Sequence, residues 1–161
     1  MKDPLLYGDW EKALKVFSKF GDVVLDGARL GMKQGALMTE AALVGHIEKQ
    51  DLGWRELSKS YAAYKKRKNL SNLTWVATST TLNSITTDIQ KDSAFVGVLR
   101  TAPGKDGNAV NIAATIEYGS EKRNIKARPL FRPTWQEMEP KVNERIMKGA
   151  EKALKGLIRG S

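Results

Sequence analysis

Few side chains in this chain of 161 residues could do chemistry. His46 is the single histidine, and the chain has no cysteine. A Ser-His-Asp triad or a multi-histidine metal centre would have to be built around His46 alone, and thiol nucleophiles and thiolate metal sites are excluded. Glu48 lies two residues away and faces another side of a helix, so we interpret His46 as solvated or partly packed.

Carboxylates are the other candidates, because glycosidases and metal-dependent nucleases need only two or three of them. They are scattered over a strand end, a loop and the C-terminal region: Asp88, Asp92, Asp106, Glu137, Glu139 and Glu144. Glu117 differs because arginines follow it closely, and we expect an ion pair with Arg128 or Arg132. The sequence therefore predicts a protein that is not an enzyme and holds no cofactor or metal.

The formal net charge of +9 is unevenly spread. Residues 1–50 carry seven basic and seven acidic groups, whereas residues 120–161 carry eleven basic and five acidic groups. Such an excess favours an anionic partner, which could be nucleic acid, an acidic protein surface or counterions. No apolar run approaches the roughly 20 residues that span a bilayer, and the start lacks a signal peptide. We expect a soluble protein, made in the cytoplasm, with no membrane partner.

Apolar residues recur at helical spacing in three stretches. The first runs from Asp9 to about residue 49, a helix of about 40 residues and roughly 60 Å. Within it, Gly27, Gly31 and Gly35 share one side, which indicates either a close helix contact or a tolerant, frayed helix. A turn and a short helix with a basic end, Lys65 to Lys68, follow between Asp51 and Leu70. The last stripe predicts a C-terminal helix over residues 134–159.

β-Branched and alternating residues between Asn72 and Ala113 predict strands. We place them at Trp75–Thr78, Ile85–Ile89, Phe95–Arg100 and Ala109–Ala113. The Asp-Gly pair in Gly104–Asn108 predicts a hairpin that joins the last two. The prolines in Ala127–Pro133 predict a rigid, extended segment before the last helix.

These elements predict one α+β domain over residues 1–161, with an antiparallel sheet packed against the two long helices. The N-terminal helical region covers residues 1–50, the sheet and motif region 51–133, and the C-terminal helix 134–159.

Two motifs near the start of the last helix resemble the signature of phage head-tail joining proteins, the tail-completion or neck family of virion-morphogenesis type. They are Glu117-Tyr118-Gly119-Ser120 and, after a short loop, Ala127-Arg128-Pro129-Leu130-Phe131-Arg132-Pro133. Leu130 stands where the family usually has an aromatic residue, with Phe131 next to it. Upstream, Trp54 with Tyr61 and Lys65 is similar to a tryptophan and lysine segment of related proteins. Residues 77–85, with Leu82, resemble the segment that opens the family's sheet, although Ser79 or Thr80 replaces its glycine.

The resemblance covers roughly residues 50–140. It implies a structural virion protein that forms a homo-oligomeric ring of six subunits in the neck of the particle. Such a ring joins the tail to the portal and adaptor complex, meets the tail terminator or tail tube, and lets DNA pass. The implied interface residues are Trp54, Leu82, Glu117, Tyr118, Gly119, Arg128, Pro129, Phe131, Arg132 and Pro133. Tail-terminator and adaptor proteins have similar sizes and also form rings, so both roles stay open as alternatives.

The chief rival is a basic nucleic-acid-binding protein of the same phage, suggested by the charged C-terminal region and the Lys65 to Lys68 run. The strands offer no evident ladder of base-stacking aromatic residues. The apolar stripe of the last helix is expected to face a core, which leaves its basic residues outside.

Overall fold

The computed structural model describes residues 10–76, 84–99 and 109–159, with the side chains of the first helix from Leu14 onward. Six elements follow one another in this part of the chain. They are α1 (Trp10–Lys49), α2 (Lys59–Arg67), β1 (Ile85–Ile89), β2 (Ala94–Val98), α3 (Ala109–Tyr118) and α4 (Phe131–Arg159). The α+β class is confirmed, with two long helices and a two-stranded antiparallel sheet.

The core lies at one end of the molecule, where the C-terminal part of α1 meets the hairpin, α3 and the start of α4. Its buried members are Leu43, Ile47, Trp75, Val76, Ile85, Ala113 and Leu130. The hairpin lies on α1 through polar contacts as well: the Thr87 hydroxyl donates to Glu40, and Arg29 Nη2 lies 2.7 Å from Asp92 Oδ1. Most of α1 therefore extends beyond the core and needs another partner.

That partner is α4, which runs antiparallel to α1 along a line of glycines. A Cβ built on Gly27 would overlap the carbonyl oxygen of Gly149, and one on Gly31 would come within 2.6 Å of Ile146 Cα. A Cβ on Gly35 would meet the side chain of Val142 instead, 2.9 Å from its Cγ1. The two backbones approach closely because side chains are missing here, so the helix contact, one of the two interpretations of these glycines, is the one observed.

The predicted sheet was partly wrong. The strand at Ile85–Ile89 is confirmed, and the next strand runs from Ala94 to Val98, with Ile85 opposite Val98. The two form a hairpin whose turn includes a hydrogen bond from Gln90 N to Ser93 O of 2.8 Å. The Gly104–Asn108 turn lies outside the described residues, but the hairpin predicted there is wrong because the segment after it, from Ala109, is a helix.

The strand predicted at Ala109–Ala113 is instead the first half of α3. Ala109, Ala113 and Glu117 are its buried residues. This spacing of four residues is helical, and the alternating pattern had hidden it.

Trp75 and Val76 belong to a turn rather than to the predicted strand at Trp75–Thr78, of which Thr78 lies outside the described residues. Trp75 has a φ of 69°, in the left-handed region. Side chains, rather than a neighbouring strand, satisfy the backbone around it. Gln50 pairs with both backbone groups of Thr74, and Lys65 binds the carbonyls of Leu73 and Val76.

We predict that replacing Gly31 with alanine destabilises the fold by about 1–3 kcal/mol, because the new methyl group meets the backbone of α4. Gly21 is the matched control: it lies in the same helix, and a Cβ there has no neighbour within 4 Å. Gly21→Ala should stabilise the protein by about 1 kcal/mol through helix propensity. Urea unfolding followed by circular dichroism measures both, and equal effects of the two variants would contradict the close contact.

Candidate functional site

The predicted motif residues converge on the start of α4, and Glu117 is at the centre of the arrangement. Its carboxylate accepts hydrogen bonds from three successive backbone amides: Leu130 N at 2.6 Å, Phe131 N at 3.1 Å and Arg132 N at 3.2 Å. The first amides of a helix have no partner within the helix and carry partial positive charge, so a carboxylate there both bonds them and opposes the helix dipole. Glu117, at the end of α3, is therefore the cap of α4.

This cap corrects two predictions. The described partners of the Glu117 carboxylate are backbone amides, so the expected ion pair with Arg128 or Arg132 is wrong. The extended segment ends at Leu130, and Phe131 begins the helix, so Arg132 and Pro133 lie in its first turn. Proline is tolerated there because its missing N–H would have had no partner within the helix.

The chain between α3 and α4 turns back on itself at Gly119. Its φ is 79°, and a Cβ on this residue would lie 2.9 Å from both Ala127 N and Ile125 O. Ser120 and Ile125 exchange two backbone hydrogen bonds, and Arg128 N donates to Ile116 O at 2.7 Å. Only glycine fits the space and the conformation, which explains its place in the motif.

Arg128 ties this segment to the chain before α2. Its Nε donates to Arg55 O at 2.9 Å and its Nη2 donates to Glu56 O at 3.0 Å. A guanidinium group presents its donors in a fixed plane, so two carbonyls on adjacent residues suit it. The arginine is thus a structural clamp between two distant parts of the chain.

Two tryptophans hold the same segment from another side. Trp54 Nε1 donates to Pro129 O at 2.6 Å, and Trp75 Nε1 donates to Arg128 O at 3.0 Å. The Trp75 ring also meets Phe131 edge to face, with centroids 5.7 Å apart. We call this assembly the capped Arg-Pro platform, and define it as Trp54, Trp75, Glu117, Gly119, Arg128, Pro129 and Phe131.

The platform brings together most, but not all, of the predicted interface residues. Tyr118 and Arg132 lie beside it and are exposed, Pro133 follows in the first turn of α4, and Leu82 lies outside the described residues. Trp75 was missed because it was assigned to a strand. Its large indole beside a polar turn was the available signal, since a buried tryptophan needs an acceptor for its N–H.

Lys65 is a second residue whose role the sequence concealed. It is only 2% exposed, and its Nζ donates to Leu73 O at 2.9 Å and Val76 O at 3.0 Å. Burial lowers the pKa of this amine, and the nearby charge of Arg128 lowers it further. The first lysine of the basic run therefore supports the turn at Leu73 to Val76 and is withdrawn from the surface.

His46 is partly packed, as expected, but it is not isolated from carboxylates. Its Nδ1 lies 2.6 Å from Asp51 Oδ1, and its Nε2 lies 3.3 Å from Glu137 Oε2. The hydrogen bond to His46 lowers the pKa of Asp51. The group links the end of α1 to α4, and the distance of Glu137 along the chain kept this contact out of the sequence analysis.

Several basic groups on α4 are paired within the helix. Lys141 Nζ lies 2.7 Å from Glu137, Lys148 Nζ lies 2.5 Å from Glu144, and Lys155 pairs with Glu151. The lysine partners lower the pKa of all three carboxyl groups. These exposed pairs reduce the local positive field of the C-terminal region.

Within the described ranges, no three His, Asp or Glu side chains are placed to hold a metal ion together. Over the same residues, no helix has the length and apolar character needed to cross a bilayer.

Comparison with known proteins gives one distant similarity. The chain is 27% identical over 105 residues to the uncharacterized protein MJ0331 of Methanocaldococcus jannaschii, which covers 63% of this chain and 73% of the relative. No protein-family model and no solved structure matches. The resemblance to head-tail joining proteins therefore stays a prediction.

We predict that Glu117→Gln destabilises the protein by about 1–3 kcal/mol, because the three amides lose the carboxylate that bonds them. Glu121→Gln is the control, since Glu121 is exposed in the adjacent loop. Thermal and urea unfolding measure the difference. Equal stability of both variants would show that the cap does not hold α4.

We predict that Lys65→Met lowers stability by about 1–3 kcal/mol, because two carbonyls lose their buried donor. Lys66→Met removes the same charge one residue further along α2 at an exposed position, and should change stability by less than about 0.5 kcal/mol. Urea unfolding of the two variants is the measurement. A reversed order would contradict the structural role of Lys65.

Proposed function

We propose that this protein is a non-enzymatic structural subunit of a phage-type particle, and that it forms the neck ring that joins the tail to the portal and adaptor complex. The observation that carries the proposal is the capped Arg-Pro platform. Six of the residues that resemble the head-tail joining signature, Trp54, Glu117, Gly119, Arg128, Pro129 and Phe131, bond or pack into this one unit. A signature that builds a rigid surface suits an assembly protein, since a repeated interface needs fixed geometry.

The two-helix arm gives the proposal independent support. We define the arm as residues 10–35 of α1 and 142–159 of α4, which extend beyond the core. Near its end, large apolar side chains remain in water: Leu14 is 67% exposed, Phe17 73% and Ile158 60%. Exposed apolar groups of this size, gathered at one end of a molecule, favour association with other chains. The ring neighbour, the tail terminator or the tube is the proposed partner of this end.

The nucleic-acid-binding alternative rests on the basic residues, and fewer of them are free at the surface than the composition suggested. Lys65 is buried, and Lys141, Lys148 and Lys155 each pair with a glutamate on the same helix. In a ring, the remaining basic groups would make transient contacts with passing DNA. Binding by the isolated chain should then be weak and unspecific, whereas a dedicated DNA-binding protein would show tight binding with steep salt dependence.

We predict that the purified chain forms closed rings with a central channel and a single copy number, with six as the expected count, as its concentration is raised. Native mass spectrometry and negative-stain electron microscopy measure copy number and shape. Failure to exceed two copies at any concentration would contradict assembly by this chain alone.

The double variant Leu14→Ser and Phe17→Ser tests the arm in the same assay. Both side chains are exposed, so the helix content should stay unchanged while ring formation falls. Leu73→Ser is the control, since Leu73 is an exposed apolar residue, 38% accessible, outside the arm. Rings that form equally well in all three proteins would exclude the arm end as the contact.

A further inference from the structure

α1 carries a second apolar stripe beside the sides that face α4 and the hairpin, and its two leucines are exposed. Its members are spaced by seven residues along the helix: Val16, Val23, Leu30, Leu37 and Val44. Leu30 is 55% exposed and Leu37 is 49% exposed, and the three valines are half-buried or nearly so. We call these five residues the heptad seam. It is about 42 Å long at 1.5 Å per residue.

The seam lies on its own side of the helix. At 100° per residue, Leu30 is roughly 100° around from Gly31, which faces α4, and Arg29, which binds the hairpin at Asp92, lies roughly 100° further. An open groove lined by Leu37, Glu40, Ala41, Val44, Gly45 and Glu48 follows the C-terminal part of the seam. The exposed leucines of the seam therefore offer a side of α1, between α4 and the hairpin, on which a second helix could lie.

In helices that pair side by side, apolar residues recur in every seven-residue repeat, and here one apolar residue of each repeat lies on the seam. A stripe that only faced the core of its own domain would have no need to continue over five heptad positions, most of them beyond the core. The seam begins at Val16 in the arm and ends at Val44, close to Leu43 of the core. Its length and regularity point to a helix of similar length as the occupant.

The charges beside the seam identify that occupant. Lys19, Asp26, Lys33 and Glu40 each follow a seam residue by three positions, so they lie along one flank of the seam. Within the chain, Asp26 also pairs with Arg29, and Glu40 accepts a hydrogen bond from the Thr87 hydroxyl. If a second α1 lies antiparallel with Leu30 opposite Leu30, then Lys19 comes beside Glu40 of the second copy, and Asp26 beside its Lys33. Two-fold symmetry repeats both pairs, so four pairs of opposite charge flank the seam.

The same alignment matches the apolar groups. Val16 of one copy lies opposite Val44 of the other, and Val23 lies opposite Leu37. A parallel pair in register would instead bring Lys19 near Lys19 and Asp26 near Asp26, which is unfavourable. The charge pattern therefore selects the antiparallel pair over the parallel one.

We propose that a second copy of this chain occupies the heptad seam, in an antiparallel two-fold dimer centred on Leu30. The dimer does not rest on the proposed neck function. Its place in that function would be a storage form, because a two-fold contact uses the same surface on both subunits and gives a ring no direction. The dimer would then separate when the ring forms.

Light scattering and sedimentation at concentrations below ring formation test the dimer. The expected mass is two copies. Leu30→Glu should raise the dissociation constant at least about tenfold, because it places two carboxylates together at the symmetry axis. Leu25→Glu is the matched control: Leu25 is 52% exposed on the same helix but lies on the other side of it, and its variant should still dimerise.

Cysteine crosslinking tests the alignment, since the chain has no cysteine of its own. Under oxidation, Leu30→Cys should link to itself, and a mixture of Val16→Cys with Val44→Cys should form a mixed disulfide. Val16→Cys alone should stay unlinked. A wild-type monomer, a Leu30→Glu protein that dimerises as well as wild type, or self-linked Val16→Cys would overturn the proposal.

The two proposals fail separately. Dimers without rings at high concentration leave the seam intact and contradict the neck ring. Rings that persist in Leu30→Glu, with no two-copy species in the wild type, support the ring and overturn the seam. Leu30→Glu rings that form at lower concentration than wild-type rings support the storage role.

Discussion

The direction of α4 depends on the Glu117 carboxylate. One side chain at the end of α3 binds three amides at the start of a helix of 29 residues, so the position of α3 determines where that helix begins. The indoles of Trp54 and Trp75 and the guanidinium of Arg128 hold the preceding carbonyls and the chain around them. A small change in the direction of α4 at its start would displace its far end by more. The glycine contact with α1 tolerates little displacement.

Two sides of α1 have different roles. The glycines pack against α4, and the heptad seam lies on another side of the helix. Gly27 and Gly31 lie so close to α4 that a Cβ on either would meet its backbone, and Gly35 lies against the side chain of Val142. This contact needs no large apolar groups, and Leu30 and Leu37 remain exposed on another side of the same helix. Glycine costs about 1 kcal/mol in a helix, and close packing over a long contact offsets that cost.

Periodicity predicted the long helices well because their repeat extends over many residues. α1 and α4 were placed within a few residues, and the glycine side was identified before any partner for it was known. The region from Trp75 to Ala113 was predicted less well. A short apolar run is compatible with either a strand or a helix. At Ala109 the chain forms a helix, which buries every fourth residue. Lys65 and Trp75 take roles set by carbonyls many residues away, which no local pattern contains.

The chemistry of the candidate site, like the fold, was only partly predictable from the sequence. Glu117 was identified as the acidic residue of the motif, and its nearness to arginines suggested an ion pair. The fold gives it backbone amides instead, since the carboxylate lies directly at the helix start, where the first amides have no partner in the helix. Arg128 in turn binds the carbonyls of Arg55, Glu56 and Lys126, so Glu117 and Arg128 are both bound to backbone groups. These two charges therefore serve the fold, and the proposed contacts with other chains would use the exposed residues around the motif and along α1.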